Sequence, residues 1–552
     1  MTYLFTNNQE IKNDIGNPIP ISKNTSTNTV SNPIHVTAQV TGNVNTIVSG
    51  ASNASAFGEP YAITITPVIQ LDSVYGITNE VIQTYTSNTT GAAASATPQQ
   101  ALFTVACGTS IGGYGVLRSK RFLRYRPGQG ALCRLTAAFT PGVTGTSQRV
   151  GLANQENALQ VGINTDPADN KPKFGVMRAT GGKAQIVLLT INTAPTGTQT
   201  ATVTLNGVAF NIVIHAGTTT ATAVAINKAD GFTGWLTDQV DNTIVFLANG
   251  LGPRSGTYSF SSTGTGTLAT GTFSTITTGV AQTENWTYQS DFNVDKLDGT
   301  GPSGMTLAPE HLNVYQINFR WLGAGEIRYA IENQLTGEMV FFHREHYVNQ
   351  NNTPHLAQPS FKIGYVAYNT GAGAAASSVT VTGASMMGAI EGTIFQNELN
   401  RSAHMAATTL ASGSIHHLMT LRNPYVTNGK TGALNGNYLL NTKEIILKDI
   451  SIGTQGNDPG VVHVFYEPST FTGTHEFVSQ PRDNGMVSYA TGTFDDNVDS
   501  AVARFVTAIN GEAQYPVDKF RIAIPPGSQV SIGIESSAQI SRVACAVVFS
   551  ED

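Results

Sequence analysis

Charge is the scarcest ingredient of this sequence: Asp, Glu, Lys and Arg together make up 12% of its 552 residues. What charge there is leans acidic, with a formal net charge of −6 and an isoelectric point near 6.0. Binding nucleic acid takes a dense cationic surface that displaces counterions from phosphates, so no nucleic-acid partner is expected. Cysteine is nearly missing too. Cys107, Cys133 and Cys545 are odd in number and far apart, which excludes a disulfide framework and fits assembly in a reducing cytosol. No apolar run reaches the length of a membrane-crossing helix, so no membrane insertion is expected. Residues 1–20 lack a cationic start followed by an apolar stretch, so no secretory signal is read there. A surface protein with neither device is expected to leave the cell inside a particle. Long Ala, Glu, Lys and Leu runs of helical period are also missing, which excludes a helical bundle.

What the sequence does contain is glycine, 56 of them, with Thr, Ser, Asn and Ala filling much of the remainder. β-Branched Thr, Val and Ile suit a pleated surface, and Gly and Asn punctuate it with turns. The composition therefore predicts a mostly β protein, and the length predicts several folded units.

Residues 1–60 are thin in large apolar side chains and cannot bury enough surface to offset the entropy of ordering. They are read as an extended N-terminal docking arm that orders against a neighbour. Residues 61–180 alternate in short strands separated by turns such as PGQG, PGVTG and DPADNK, with a small-residue loop over 89–96, and form the first part of a split β-sandwich. Residues 181–285 read as an inserted small α/β domain. Its Asn206-Gly207 pair sits between two alternating runs and predicts a hairpin. Residues 218–230 are its helix, with Ala221, Val224, Ala225 and Ala229 sharing one face. Residues 286–392 complete the split sandwich, and 393–552 form a C-terminal β-sandwich with one short helix over 499–509. The fold class is tandem β-sandwich or jelly-roll domains with one small inserted α/β domain and an extended N-terminal arm.

Few constellations offer chemistry. A Walker motif, HExxH and a paired CxxC are missing, so nucleotide hydrolysis and zinc chemistry lack their signatures; acyl transfer through a nucleophile elbow is not expected either. His343, Glu345, His346 and His355 are the nearest metal candidates, but strand alternation sends His343 and Glu345 to one face and His346 to the other. His416 and His417 diverge in the same way. The acidic clusters at 166–169, 295–298 and 495–499 lack the full calcium-loop spacing, and weak calcium binding competes there with solvated turns. A glycosidase needs two carboxylates flanking a groove, which sequence alone does not locate. The one basic run is Arg118, Lys120, Arg121, Arg124 and Arg126, interleaved with Phe122, Leu123 and Tyr125. Arg124 and Arg126 are placed on one strand face, as a contact for an acidic glycan or an acidic neighbour. The alternative is a polar sheet rim.

Several stretches together resemble virion structural proteins of large tailed bacteriophages. They are IKNDIGNPIPISKNTSTNTVSNPI at 11–34, KRFLRYRPGQGALCRLTAAFT at 120–140, SQRVGLANQENALQVG at 147–162, FGVMRATGGKAQI at 174–186, FNVDKLDGTG at 292–301 and VYQINFRWLGAGEIRYAIENQLTGEMVFFHREHY at 314–347. The resemblance spans roughly residues 10–370, and TATVTLNGVAFNIVIHAGTTTATAVAIN at 200–227 looks like a small accessory domain of phage tail proteins. It implies a particle component on the tail, neck or capsid exterior, located in the virion and assembled in the host cytoplasm. It brings no catalytic residue, cofactor or metal.

The resulting expectation is a structural virion protein, not an enzyme. Its partners are copies of itself, with a trimer as the guess, and other virion proteins through the arm. One alternative is a glycan-binding adhesin or receptor-binding protein of the tail that takes a host surface glycan; Trp321, Tyr329 and Phe341 are its aromatic candidates, although their strand positions favour core packing. The other alternative is a polysaccharide-degrading enzyme.

Overall fold

Alternation of β-branched and polar residues, broken by Gly and Asn turns, resolves into antiparallel ladders arranged, among the described residues, as six sheets. A computed structural model describes residues 64–551 apart from 88–90, 230, 252, 370–374, 376, 394–399, 427–439, 457, 480–484 and 508, and without the side chains at 250–251, 406–408 and 479. The docking arm expected over 1–60 lies outside the described residues.

A nine-stranded and a seven-stranded sheet close on the largest core. Phe103, Phe139, Tyr315 and Phe319 enter it from the first sheet and Leu117, Val150, Leu159 and Tyr365 from the second. Burying side chains of this size contributes about 1.5–3 kcal/mol each, so this core dominates the stability of the region. The Tyr365 hydroxyl donates to Thr136 O at 2.9 Å and ties the two sheets across their apolar interior.

Between Lys171–Thr180 and Thr283–Tyr288 the chain leaves this sandwich and returns. The two strands are paired neighbours, Thr180 opposite Thr283 and Gly175 opposite Tyr288, so the excursion stands on a hairpin stem. It folds as a four-stranded and a three-stranded sheet around Val187, Leu189, Ala201, Val203 and Phe246, with the α-helix Thr219–Lys228 packed on them. The hairpin at Asn206-Gly207 forms with both residues at positive φ, 53° and 82°, the backbone a two-residue turn needs. Thr218 caps the helix by accepting from Ala221 N at 3.0 Å. The helix buries Thr222, Ala223, Val224 and Ile226, a face rotated from the expected one, because Ile226 is its largest apolar side chain and turns inward.

In the C-terminal region a five-stranded sheet brings Ile450, Ile452, Val543, Val547 and Phe549 against Leu418, Val462, Val464, Ile532 and Ile534 of a seven-stranded sheet. The three cores are fastened to one another. Arg121 grips Glu444 with Nε at 2.9 Å from Oε1 and Nη2 at 2.7 Å from Oε2. Asp238 of the excursion, 2% exposed, accepts from Arg422 Nη2 at 2.8 Å and from Tyr425 N at 2.6 Å. Beside that pair Ile186, Leu188, Val245 and Leu247 pack with Val426.

Three local expectations are corrected. Ala92–Thr97 is a strand paired with Leu102–Cys107, not a loop; its small residues carry no apolar period to read. The helix expected at 499–509 is instead the strand Ala501–Val506, where packing against Gly460–Tyr466 decides a segment of ambiguous spacing. The strand Tyr114–Ser119 ends before the basic run does, so Arg124 and Arg126 sit in a loop, anchored by the single bridge of Leu123 to Phe361.

Candidate functional site

The site follows from alternation on one sheet. In Lys362–Asn369 the residues Ile363, Tyr365 and Ala367 enter the core, so Lys362, Gly364, Val366 and Tyr368 face outward. The neighbouring strands obey the same rule, sending out Tyr85 from Ile82–Thr86, Tyr114, Val116 and Arg118 from Tyr114–Ser119, and Arg149, Gly151 and Ala153 from Thr146–Ala153. Gly364 and Gly151 stand opposite each other in register; a side chain at Gly364 would press on Arg118, whereas one at Gly151 would run into Ile317 of the core. The excursion roofs it with Gly234, Asn249, Arg254 and Gln282. Floor and roof enclose a cavity of about 450 Å³.

Its charge is unbalanced. Among the described lining residues Arg118, Arg149, Arg254 and Lys362 are cationic and Glu284 is the carboxylate. Glu284 is consumed by Arg149, which reaches it at 2.6 Å through Nη1 and at 2.8 Å through Nη2. The Arg149 guanidinium lies over Trp286 at 5.3 Å and Tyr368 at 5.6 Å. Arg118 lies over Tyr85 at 4.9 Å and meets only neutral oxygens, Gln83 Oε1 at 3.3 Å and Tyr85 Oη at 3.4 Å.

Lys362 is 7% exposed, and its ammonium donates to Gln83 Oε1 at 3.2 Å above the ring of Phe122 at 5.0 Å. No described carboxylate lies within ion-pair distance of it. Burial, then the charges of Arg118 and Lys120, hold its pKa well below the ordinary lysine value; Glu444 opposes this, but Arg121 already grips that carboxylate. In the roof, Gln185 holds Arg254 N at 2.9 Å while Arg254 Nε is buried without a partner. Gln155 Oε1, also lining the cavity, is buried and unpartnered. Such atoms cost free energy until something meets them.

Arg124 and Arg126, the residues expected to touch a glycan or a partner, are half-buried in their loop and do not line this cavity. Of the basic run Arg118 reaches it, while Arg121 pairs with Glu444 and Lys120 lies 3.8 Å from Glu467. Sequence reading missed Lys362, Arg149 and Arg254. The signal was present in the outward positions of central strands, where Gly, Ala, Val and Tyr stand between the charges, which marks a covered face.

The other candidates are dispersed. Among the described residues no group of three or more His, Cys, Asp or Glu side chains converges as a metal site. Glu345 accepts from Arg178 Nε at 3.0 Å, His355 stacks on Tyr347 at 4.3 Å, and His346 is exposed. The acidic clusters serve local structure: Lys173 holds Asp166 and Asp169 at 2.7 and 2.8 Å, Asp295 accepts from Leu297 N and Ser303 N at 2.8 Å each, and Asp499 accepts from Ser469 N and Thr470 N at 2.7 Å each. Tyr329 is fully buried, Trp321 donates to Leu356 O at 3.0 Å, and Phe341 lies under Arg328 and Arg344. A second hollow, of about 490 Å³, is lined by His404, His416, His417 and Tyr489 of the C-terminal region. The sequence does hold one string with nucleophile-elbow spacing, Gly108-Thr109-Ser110-Ile111-Gly112. It forms the connection between two strands of different sheets, Leu102–Cys107 and Tyr114–Ser119, not a strand-to-helix elbow, and no described histidine is bonded to Ser110.

No family model matches the chain, and no curated protein matches it. Among solved structures it is similar to a beta-glucanase of Bacillus licheniformis, with probability 1.00, 8% identity, a TM-score of 0.22, and coverage of 59% of this chain and 98% of that one. It is also similar to the Sputnik virophage at 8% identity and a TM-score of 0.08, covering 95% and 92% of the two chains. The Faustovirus major capsid protein follows at 9% identity and a TM-score of 0.09, covering 87% and 91%. TM-scores this low carry no argument about activity or assembly, and the two viral likenesses do not point to tailed phages in particular. The expectation that the chain is not an enzyme is withdrawn, a beta-glucanase standing first among these likenesses. That exclusion rested on missing motifs, and hydrolysis by a carboxylate pair has no local motif to miss.

Proposed function

We propose that this chain is a structural component of a virus particle, acting on the particle exterior by association with copies of itself. The observation that carries the reading is an apolar margin on the C-terminal sandwich. Ala501–Val506 ends its seven-stranded sheet and Gly511–Pro516 ends its five-stranded sheet, among the described residues. Along this margin Val502, Val506, Ile509 and Phe520 are exposed, Val506 by 65% and Phe520 by 52%. Sheet edges that carry apolar side chains invite pairing with another chain, and proteins that stay monomeric blunt them with charge; the charge on this face, Arg504 between Val502 and Val506, is paired with Asp496. Firm contacts among the three cores support the same reading, since a building block gains from rigidity.

The tailed-phage origin, the trimer, docking by residues 1–60 and a partner contact at Arg124 and Arg126 belong to this proposal. Purified particles should contain the chain when examined by mass spectrometry, and its absence from them would overturn the reading. Sedimentation should show an oligomer that the double substitution Val502→Lys, Val506→Lys dissociates. Removing residues 1–60 should leave folded protein that no longer enters particles.

A further inference from the structure

We propose that the cavity between the outer sheet face and the inserted unit binds an acidic saccharide, with the sugar carboxylate on Lys362, Arg118 and Arg254. The site is built before any ligand arrives. Lys362 is 7% exposed and donates to one neutral oxygen among the described residues, so its nitrogen is buried with most of its bonding capacity idle. Arg254 Nε, in the opposing roof, is buried and unpartnered. Arg118, Lys362 and Arg254 all line the cavity, so a carboxylate seated in it faces cationic side chains from floor and roof, and charge-assisted bonds are the strong kind.

The remaining lining favours a sugar over a bare anion. Tyr85 and Tyr368 give ring faces and hydroxyls, and Gln155 Oε1 is a buried acceptor waiting for a donor that an inorganic anion lacks. The volume of about 450 Å³ falls within the usual range of small-ligand sites. Glu284 does not repel the ligand, because Arg149 already neutralises it. The inference does not depend on the particle reading, since the cavity lies in one chain.

The test is calorimetric titration of the full chain with tetragalacturonate, beside neutral cellotetraose, inorganic sulfate and tetraglutamate. Tetragalacturonate should bind, raise the thermal midpoint in proportion to its concentration, and outcompete the other three. Lys362→Met should weaken that binding about 10- to 100-fold while leaving the midpoint of the empty protein unchanged or higher. Arg254→Gln, on the roof, should weaken it by a smaller factor and spare the floor, so the idea stays testable should the lysine variant fail to fold. No binding of tetragalacturonate to the wild type, equal binding of sulfate or tetraglutamate, or wild-type affinity in both variants would overturn the proposal.

Discussion

Two seven-stranded sheets in this chain bury titratable side chains, and they do so in opposite ways. The sheet of the first sandwich keeps cations beneath a roof, and Lys362 and Arg118 there meet neutral oxygens only. The sheet of the C-terminal sandwich keeps histidines among rings: His417 lies 4.9 Å from Phe471 and 5.2 Å from His475, which stacks on Phe471 at 4.2 Å. His417 is fully used. Its Nδ1 donates to Ala490 O at 2.6 Å, and its Nε2 accepts from Thr420 Oγ1 at 2.8 Å, whose oxygen is bonded to Ser531 Oγ at 2.6 Å. This relay requires the neutral ring. One sheet therefore holds cationic side chains with donors to spare, and the other closes the bonds of the neutral His417 ring, although Nε2 of the neighbouring His475 is buried without a partner. Binding capacity belongs to the first kind of burial and structural specificity to the second.

The largest effect is expected where the regions are joined. Arg422→Ala strips Asp238 of its partner and leaves a carboxylate that is 2% exposed without a counter-charge. Breaking a buried pair from one side costs about 3–5 kcal/mol, so chemical denaturation should show a lower midpoint by a corresponding amount. An unchanged midpoint would mean that the inserted unit and the C-terminal sandwich are held by their apolar cluster alone.

Acid should separate the two sheets next. Burial lowers the His417 pKa from 6.5 to about 4, opposed by its bond to Ala490 O, and lowers that of His475 to about 3, with His417, Arg422 and Lys228 adding to the effect. Both folded values lie below the unfolded one, so the unfolded chain binds more protons in acid. The stabilisation is complete above pH 6.5 and is lost as pH falls toward 4. For His417 the loss is roughly 2–3 kcal/mol over that window, read as a falling denaturation midpoint of the C-terminal sandwich. His417→Asn should start lower at neutral pH and fall less steeply. A variant with the wild-type slope would show that this ring does not set the acid limit.

Much of the fold was legible because its rules are local. The Asn206-Gly207 hairpin, the Thr218-capped helix and the long alternating strands each depend on residues a few positions apart. The misreadings have equally local causes: Ala92–Thr97 has only small side chains, and Ala501–Val506 fits helix and strand periods alike. The cavity was not legible. Tyr85, Arg118, Arg149, Arg254 and Lys362 come from separate elements across nearly three hundred positions, and only strand register brings them together. The basic run pointed to this neighbourhood, but the strand ends at Ser119, so Arg124 and Arg126 lie in a loop and not on the strand face expected of them.

The smallest expected effect is the one that sharpens the contrast between loop and floor. Arg124→Ala and Arg126→Ala remove charge from a half-buried loop that does not line the cavity, so tetragalacturonate affinity should stay within about twofold of wild type, a shift under ~0.5 kcal/mol. Both charges still act at a distance through solvent, so a small weakening at low ionic strength should vanish in added salt. Lys362 lies inside, shielded from that screening, and its contribution should survive the same salt. If the loop arginines lowered affinity as much as Lys362→Met did, recognition would belong to the surface field of the basic run, and the floor would be only a scaffold beneath it.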